Sequence, residues 1–178
     1  MLRIRRLDES DPPVIAASFA RIGSVRPAGQ YVARLAEQAA GHCESLVAEA
    51  AGAFAGYVIL NWRPSYPPLA EARLPEIQDL NVLPAFRRRG IATRLLDEAE
   101  ALAAARAHAA GIAVGLHAGY NAAQRLYGLR GYVPDGRGVT WRGRPVGEYQ
   151  PVTLDDDLVL HLLKPLAPPP GAAPVIRV

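Results

Sequence analysis

The sequence predicts an α/β protein in which a central β-sheet is flanked by helices. Short stretches that alternate apolar and polar residues, or are wholly apolar, indicate strands, whereas longer stretches with apolar residues three and four apart indicate helices. A strand over 77–83 is followed by a helical stretch over 90–108 and a second strand over 112–117. Because strand, helix and strand in this order form a βαβ unit, the two strands are predicted to be parallel neighbours.

Length and composition favour one folded domain over residues 1–166, followed by a proline-rich tail over 167–178. The chain has 178 residues and is 50% apolar, which suffices for a substantial core. Its single cysteine, Cys43, excludes an intramolecular disulfide and a thiol-based metal cluster, and is interpreted as a small apolar side chain near the start of a strand. No apolar run approaches the roughly 20 residues of a membrane span, and no signal-peptide core follows the N-terminus. We therefore expect a cytoplasmic protein with no membrane partner.

The net charge of +3 raises the alternative of a nucleic-acid-binding protein. Nearly all the basic residues are arginines, and outside the run 87–89 they are scattered along the chain. No stretch interleaves them with aromatic residues, as a stacking surface for bases requires. We expect no nucleic-acid partner.

The first third of the chain is predicted to be a strand, a helical pair and a hairpin. The expected elements are a strand over 2–7, helices over 13–21 and 30–40, and hairpin strands over 44–50 and 55–60. Asp11 is the candidate N-cap of the first helix. The segment 61–75 contains four prolines and cannot lie inside a sheet. Its aromatic residues are expected to be exposed, and it is either a rigid surface loop or a wall of a substrate site.

The stretch 76–93 joins a strand, an arginine-rich turn and the start of a helix. The N-terminus of a helix presents free backbone N–H groups and the positive end of the helix dipole. Gly90 lets the backbone approach a ligand closely, Ala92 keeps the next turn thin, and the arginines 87–89 add charged donors. These features predict a site for a phosphorylated ligand.

Two more strands and one more helix complete the prediction. The amphipathic helix after the turn is expected to end at Gly111, and a short helix with Leu126 and Tyr127 on one face is expected to end at Gly131. Strands over 132–141 and 153–163 follow. The carboxylates of 155–157 alternate between the faces of a strand, so they are interpreted as solvated rather than as metal ligands. The four histidines lack metal-ligand spacing, and only His117 lies where it would border a cleft, so no metal is expected.

Two segments carry a resemblance to a known family. Arg87-x-x-Gly90-x-Ala92, preceded by an Ile-x-x-Leu-x-Val-x-Pro strand, resembles the signature motif of the GNAT superfamily of acetyl-CoA-dependent N-acetyltransferases. Leu126-Tyr127-x-x-x-Gly131-Tyr132 resembles the second motif of that superfamily. The resemblance covers roughly residues 2–165. It implies a mixed central sheet whose parallel strands splay apart at the cofactor, with helices on its faces.

The resemblance also implies a cofactor and the residues that bind it. The cosubstrate would be acetyl-CoA, with its pyrophosphate on the turn and its pantetheine arm paired like an added strand with the backbone around Leu80 and Val82. The family often has an asparagine seven residues before the tyrosine of the second motif, a place that Tyr120 occupies here. The candidate cofactor contacts are Leu80, Val82, Arg87, Arg88, Arg89, Gly90, Ile91, Ala92, Thr93 and Asn121.

The catalytic roles follow partly from the resemblance. Glu76 lies eleven residues before Arg87, the spacing at which histone-acetylating members place their general base. The backbone N–H of Leu80 would polarise the thioester carbonyl, and Tyr127 would protonate the departing thiolate. Gln78 should share a strand face with Glu76, whereas Asp79, the weaker alternative base, points to the opposite face. A merely solvated Glu76 and a merely packed Tyr127 are the alternatives.

The predicted function is transfer of the acetyl group of acetyl-CoA to a primary amine of a small molecule or peptide, by direct attack in a ternary complex. The alternative is a catalytically silent acyl-CoA-binding or sensor module, which shares the phosphate turn but needs neither Glu76 nor Tyr127. The identity of the acceptor and the roles of the 61–75 loop and the tail stay open. The oligomeric state also stays open, and the family resemblance makes a homodimer a reasonable expectation.

Overall fold

The computed structural model describes residues 1–167, so the predicted tail lies outside the described residues from position 168 onward. The chain forms two compact units, Met1–Ala99 and Glu100 onward. In chain order the main elements are β1 Leu2–Arg6, α1 Asp11–Ala20, α2 Ala28–Ala39, β2 Cys43–Ala50, β3 Ala53–Asn61, α3 Pro67–Glu71, β4 Glu76–Val82, α4 Ile91–Ala104, β5 Ala109–Gly115, α5 Asn121–Leu129, β6 Val133–Trp141, β7 Arg144–Pro145 and β8 Leu158–Pro165. The α/β class predicted from the sequence is confirmed.

The first unit is built on four antiparallel strands in the order β1-β2-β3-β4. Helix α1 contacts β3, and helix α2 contacts β2. Their shared core contains Ile15, Tyr31, Val47, Tyr57 and Ile59, each at most 3% exposed. Burial of these side chains is the main force that holds the helical pair on the strands.

The hairpin and the cysteine follow the predictions. Strands β2 and β3 pair from Cys43 with Asn61 down to Ala50 with Ala53. Cys43 is 1% exposed, and burial raises the pKa of its thiol above the usual value. Cys43 is the first residue of β2, so its interpretation as a small apolar side chain near the start of a strand is confirmed.

Asp11 is not the N-cap of α1, and that prediction is wrong. Ser10 occupies the cap position and Asp11 lies in the first turn, where it is 3% exposed. Its carboxylate accepts hydrogen bonds from Nη1 and Nη2 of Arg5 at 2.6 and 2.7 Å and from the backbone N–H of Asp8 at 2.8 Å. The ion pair with β1 therefore decides the position of this carboxylate.

The proline-rich segment 61–75 contains the short helix α3, which begins at Pro67. A proline at the first helical position loses no hydrogen bond, so prolines start this helix rather than prevent it. Trp62 and Tyr66 are half-buried, so the prediction of exposed aromatic residues is wrong. Trp62, Arg63, Arg73 and Leu74 line a pocket of about 290 Å³.

Helix α4 ends earlier than predicted. It stops at Ala104, and Gly111 lies inside β5 rather than at the helix end. Strand β5 is almost wholly buried and pairs with β8 along its whole length, from Ala109 with Pro165 to Gly115 with Val159. The free energy gained by pairing β5 with β8 outweighs the helix propensity of the residues after Ala104.

The second unit is built on antiparallel strands in the order β5-β8-β6-β7, with α5 in contact with β5. Strand β8 begins at Leu158 and not at residue 153, because three successive carboxylates precede it in a turn. Asp155 accepts a hydrogen bond from Nε1 of Trp141 at 3.1 Å, Asp156 pairs with His117 at 2.8 Å, and Asp157 pairs with Arg142 at 3.6 Å.

Those three carboxylates thus have separate partners. Among residues 1–167, no group of three or more metal-ligating side chains is close enough to hold an ion. None of the helices in the same range is both long and apolar enough to cross a membrane.

Candidate active site

The turn after β4 is a compact connection between a strand and a helix. Leu83 still donates to the carbonyl of Ala55 at 2.9 Å, and residues Pro84–Phe86 then form a single 3-10 turn. Arg88 and Gly90 have positive φ angles of 61° and 75°. Two left-handed residues so close together reverse the chain, and successive backbone N–H groups in such turns are typical of anion-binding concavities.

Helix α4 starts directly after this reversal. Arg94 donates its backbone N–H to the carbonyl of Gly90 at 3.0 Å, which is the first hydrogen bond of the helix. The preceding N–H groups have no partner inside the helix, and the positive end of the helix dipole lies here. A Cβ placed on Gly90 would meet no heavy atom within 4 Å, so the space beside this backbone is open to a ligand.

Three exposed arginines surround the turn. Arg87 donates from Nε to the carbonyl of Val82 at 3.1 Å, and the guanidinium of Arg89 lies 5.6 Å from the centroid of the Phe86 ring. These contacts hold two of the three side chains beside the turn and leave terminal N–H groups to solvent. Positive charge, free N–H groups and open space together fit a diphosphate group.

A β-bulge interrupts β4 just before the turn. On β3, Ile59 pairs with Gln78 and Tyr57 pairs with Asn81, so two residues of β4, Asp79 and Leu80, face a single residue of β3. Asp79 has φ of 51°, a conformation that aspartate tolerates better than most residues. The bulge disrupts the ladder at Leu80, the residue whose backbone N–H was predicted to polarise a carbonyl.

Glu76, at the start of β4, is a buried carboxylate. It is 5% exposed and accepts a hydrogen bond from Nε2 of Gln78 at 2.5 Å. Burial raises the pKa of Glu76 above its usual value, although the bond from Gln78 opposes the shift. The carboxyl group is therefore better suited than a solvated one to accept a proton near neutral pH.

The prediction that Gln78 shares a strand face with Glu76 is confirmed. The bond between Gln78 and Glu76 places both side chains on one face, and Asp79 is exposed. Asp79 is exposed and lies in the bulge, so it lacks the buried environment of Glu76.

The sequence analysis missed a polar cluster beside the bulge. Arg26, from the loop between α1 and α2, donates to the hydroxyl of Tyr57 at 3.0 Å and to Oδ1 of Asn81 at 3.2 Å. The hydroxyls of Tyr31 and Tyr57 are 3.4 Å apart. In the sequence, Tyr57 stands in the apolar run of β3, and nothing local to that run indicates a polar partner for its hydroxyl.

The second unit contains the other two predicted site residues. Tyr127 lies on α5 and is 6% exposed, and burial raises the pKa of its phenol to about 12. Asn121 is the first residue of α5 and is exposed. The predicted helix end is correct: Gly131 has φ of 85°, and the N–H of Tyr132 donates to the carbonyl of Tyr127 at 3.1 Å.

His117 has a local structural role. Its Nδ1 accepts a hydrogen bond from the N–H of Gly119 at 3.1 Å, its Nε2 lies 2.8 Å from Asp156, and its ring packs edge-on against Tyr120. These contacts engage both ring nitrogens. The described residues thus place the predicted site residues from Glu76 to Thr93 in one unit, and Asn121 and Tyr127 in the other.

A family model described as the acetyltransferase (GNAT) family matches residues 4–132. Both motifs, around Arg87 and around Tyr127, lie inside the matched range. No curated protein matches the sequence.

Several solved structures share the fold. An N-acetyltransferase from Staphylococcus aureus Mu50 is 20% identical with a TM-score of 0.70, covering 94% of this chain and 99% of that chain. The ribosomal-protein-S18-alanine N-acetyltransferase from Escherichia coli is 16% identical with a TM-score of 0.68, covering 100% of both chains. An acetyltransferase candidate from Salmonella typhimurium, solved with its cofactor acetyl-CoA, is 20% identical with a TM-score of 0.67, covering 97% of both chains.

Proposed function

Because the chain belongs to the GNAT family of acetyltransferases, we propose that it moves the acetyl group of acetyl-CoA to a primary amine by direct attack within a ternary complex. The chain is an acyltransferase, and acetyl-CoA is its cosubstrate, as in other members of the family. The amine acceptor and the roles of individual residues are the proposal. The observation that carries it is the turn between β4 and α4, which fits a diphosphate.

The turn is proposed to bind the diphosphate of acetyl-CoA. Arg87, Arg88 and Arg89 supply charged donors, and the N–H groups of 90–93 supply uncharged ones. The backbone of Leu80 and Val82 is proposed to pair with the pantetheine arm. The bulge in β4 supports this pairing, because it disrupts the ladder with β3 at Leu80. Asn121 is proposed as a further contact, on the family resemblance alone. When bound, acetyl-CoA supplies the thioester from which the acetyl group is transferred.

Three residues of the chain are proposed to polarise the thioester carbonyl and to transfer the protons of the reaction. Glu76 accepts the proton that the amine loses as the new C–N bond forms, a role that its raised pKa supports. The N–H of Leu80 polarises the carbonyl under attack. Tyr127 gives a proton to the sulfur as the C–S bond breaks. A phenol with a pKa of about 12 is protonated at neutral pH and so can act as this donor.

The acceptor is proposed to be a small molecule or a peptide. A cytoplasmic location and a homodimer are retained as predictions from the sequence and the family. An enzyme and a silent binding module would both bind acetyl-CoA at the same turn. Only turnover of acetyl-CoA therefore distinguishes the two.

The test is release of free CoA thiol during incubation with acetyl-CoA and a panel of aminoglycosides, polyamines, amino acids and short peptides. We expect amine-dependent release, reduced by about 10²- to 10⁴-fold in Glu76→Gln, the usual effect of losing a general base. Glu71→Gln is the matched control, since Glu71 is an exposed carboxylate five residues earlier. Saturable binding of acetyl-CoA without thiol release for any amine would favour the silent module instead.

A further inference from the structure

Arg26 is held beside the bulge of β4 entirely by uncharged groups. Its Nη1 donates to Tyr57 at 3.0 Å and its Nη2 donates to Asn81 at 3.2 Å. Its guanidinium carbon lies 4.6 Å from the centroid of the Phe19 ring. The side chain is thus fixed by contacts with α1, β3 and β4, although it comes from a loop.

No carboxylate balances this charge within residues 1–167. The hydrogen-bond partners of Arg26 are a phenol and an amide, and its Nε is buried with no partner in the same range. An arginine side chain stays charged in proteins, and a partly buried charge without a counter-charge lowers stability. Asp79 is close enough to act on Tyr57 through space, but it is exposed and does not pair with Arg26.

The guanidinium of Arg26 has more N–H groups than its two hydrogen bonds use. It has five N–H groups in a planar fork, and the two bonds to Tyr57 and Asn81 leave one N–H on each terminal nitrogen. Two parallel N–H groups match the two oxygens of a carboxylate. The side chain is half-buried, so part of it remains accessible to a ligand.

The polar cluster of Arg26, Tyr57 and Asn81 is hydrogen-bonded to the bulge of β4, beside which acyl transfer is proposed. Asn81 follows Leu80 in the chain, and its Nδ2 donates to the carbonyl of Asp79 within the bulge at 3.1 Å. The same Asn81 accepts a hydrogen bond from Arg26. Arg26 is therefore linked through Asn81 to the bulge that contains Leu80, whose N–H is proposed to polarise the acetyl carbonyl.

We propose that Arg26 binds a carboxylate of the acceptor, and that the acceptor is an amino acid or another amine that carries a carboxylate. This inference rests on the proposed function and adds the class of substrate. Arg26 is then a specificity-determining residue: it supplies the counter-charge for the acceptor, and Tyr57 and Asn81 keep its fork in position.

The experiment compares acceptors that differ in the anion alone. L-Amino acids are assayed beside their carboxamides, and ethanolamine phosphate beside ethanolamine, by thiol release and by thermal shift of the protein saturated with acetyl-CoA. The carboxamide has the more easily deprotonated amine, so a preference for the acid cannot arise from amine basicity. Arg26→Gln is the test variant, and Arg21→Gln, at an exposed arginine nearby, is the matched control.

We expect the wild type and Arg21→Gln to prefer at least one amino acid over its carboxamide by about 10- to 100-fold in kcat/KM, the usual effect of charged hydrogen bonds. Arg26→Gln should lose this preference, so that its kcat/KM for the amino acid falls to the level of its kcat/KM for the carboxamide. Equal use of acid and carboxamide by the wild type, or an equal loss on both in Arg26→Gln, would overturn the proposal.

Two further outcomes separate this inference from the proposed function. A preference for ethanolamine phosphate over every amino acid would overturn the choice of a carboxylate. If acetyl-CoA does not stabilise the wild type at all, the proposed function fails. Stabilisation by acetyl-CoA with no response to any acid in the panel, by rate or by thermal shift, overturns the assignment of Arg26 alone.

Discussion

Nε2 of Gln78 donates a hydrogen bond to Oε2 of Glu76 at 2.5 Å. Asn61 in turn donates to Oε1 of Gln78 at 3.4 Å, which fixes the orientation of the amide. A donor to a carboxylate stabilises its ionised form, whereas burial stabilises the neutral form. Burial is the larger effect, and the pKa of Glu76 is raised. Gln78 thus limits how far the proton affinity of the proposed base rises.

Substitution Gln78→Leu should move the acid limb of the pH profile of kcat/KM to higher pH. The lost hydrogen bond no longer stabilises the ionised carboxylate, so the pKa of Glu76 rises further. The base then needs a higher pH to be ionised, so the acid limb moves towards alkaline pH. A profile that does not move in Gln78→Leu would remove Glu76 from the role of base.

Substitution Tyr127→Phe should lower kcat by about 10- to 100-fold, since the proton donor for the sulfur is lost. Tyr132→Phe is the matched control. Tyr132 is also buried, and its ring centroid lies 5.9 Å from that of Tyr127. Its hydroxyl donates a hydrogen bond to Oε1 of Glu100 at 3.0 Å. It should lose stability but little activity. Equal kcat in wild type and Tyr127→Phe would show that Tyr127 only packs.

Substitution Gly56→Ala should destabilise the first unit by about 1–3 kcal/mol. A Cβ on Gly56 would collide with the carbonyl oxygen of Asn81 and lie 3.0 Å from Cα of Val82. These are backbone atoms, so β4 has to move. Gly29→Ala is the control: it lies in α2 with no heavy atom within 4 Å and should gain about 0.5–1 kcal/mol. Urea denaturation measures both, and equal effects would contradict this close approach of β3 and β4.

Substitution Glu100→Gln should cost about 3–5 kcal/mol, because it leaves two partly buried cations without a counter-charge. Glu100 is 9% exposed and pairs with Arg130 at 2.9 Å and with Lys164 at 2.5 Å. Glu98→Gln is the control, since Glu98 is exposed and pairs with Arg94 only at 3.8 Å. It should change stability by less than about 0.5 kcal/mol.

The Glu100 cluster also predicts a pH dependence. Burial alone would raise the pKa of Glu100, but the bonds from Arg130 and Lys164 outweigh it and lower the pKa below its usual value of 4.5. Its contribution to stability is therefore full above the unfolded-state pKa and is lost as pH falls through the folded-state pKa. Urea denaturation of the wild type should show this acid loss, and Glu100→Gln should show less of it. Parallel pH curves for the two proteins would contradict the assignment.

The family and the fold class could be predicted from the sequence, because both motifs are local. Pro84 stops β4, the arginine run follows, and Gly90 supplies the conformation that starts α4. Each of these signals lies within a few residues of the others, and the structure agrees with all of them.

The features that the sequence did not predict depend on distant residues. Arg26 bonds Tyr57 and Asn81 at separations of 31 and 55 positions, and Glu100 bonds Lys164 at a separation of 64. The bulge at Asp79 depends on the register between β3 and β4. Gly111 was mistaken for a helix end because the pairing of β5 with β8 is not visible in the local pattern.

The central claim is that the turn at 87–93 binds acetyl-CoA. The most direct measurement is a thermal-shift titration with acetyl-CoA of the wild type, of Arg87→Ala/Arg88→Ala, and of Arg3→Ala/Arg21→Ala, which removes equal charge at two other exposed sites. The wild type and the control should gain about 2.7 kcal/mol at 100 times the dissociation constant, and the turn variant should need far more ligand. Equal titrations for all three proteins, or no stabilisation of the wild type, would contradict the account.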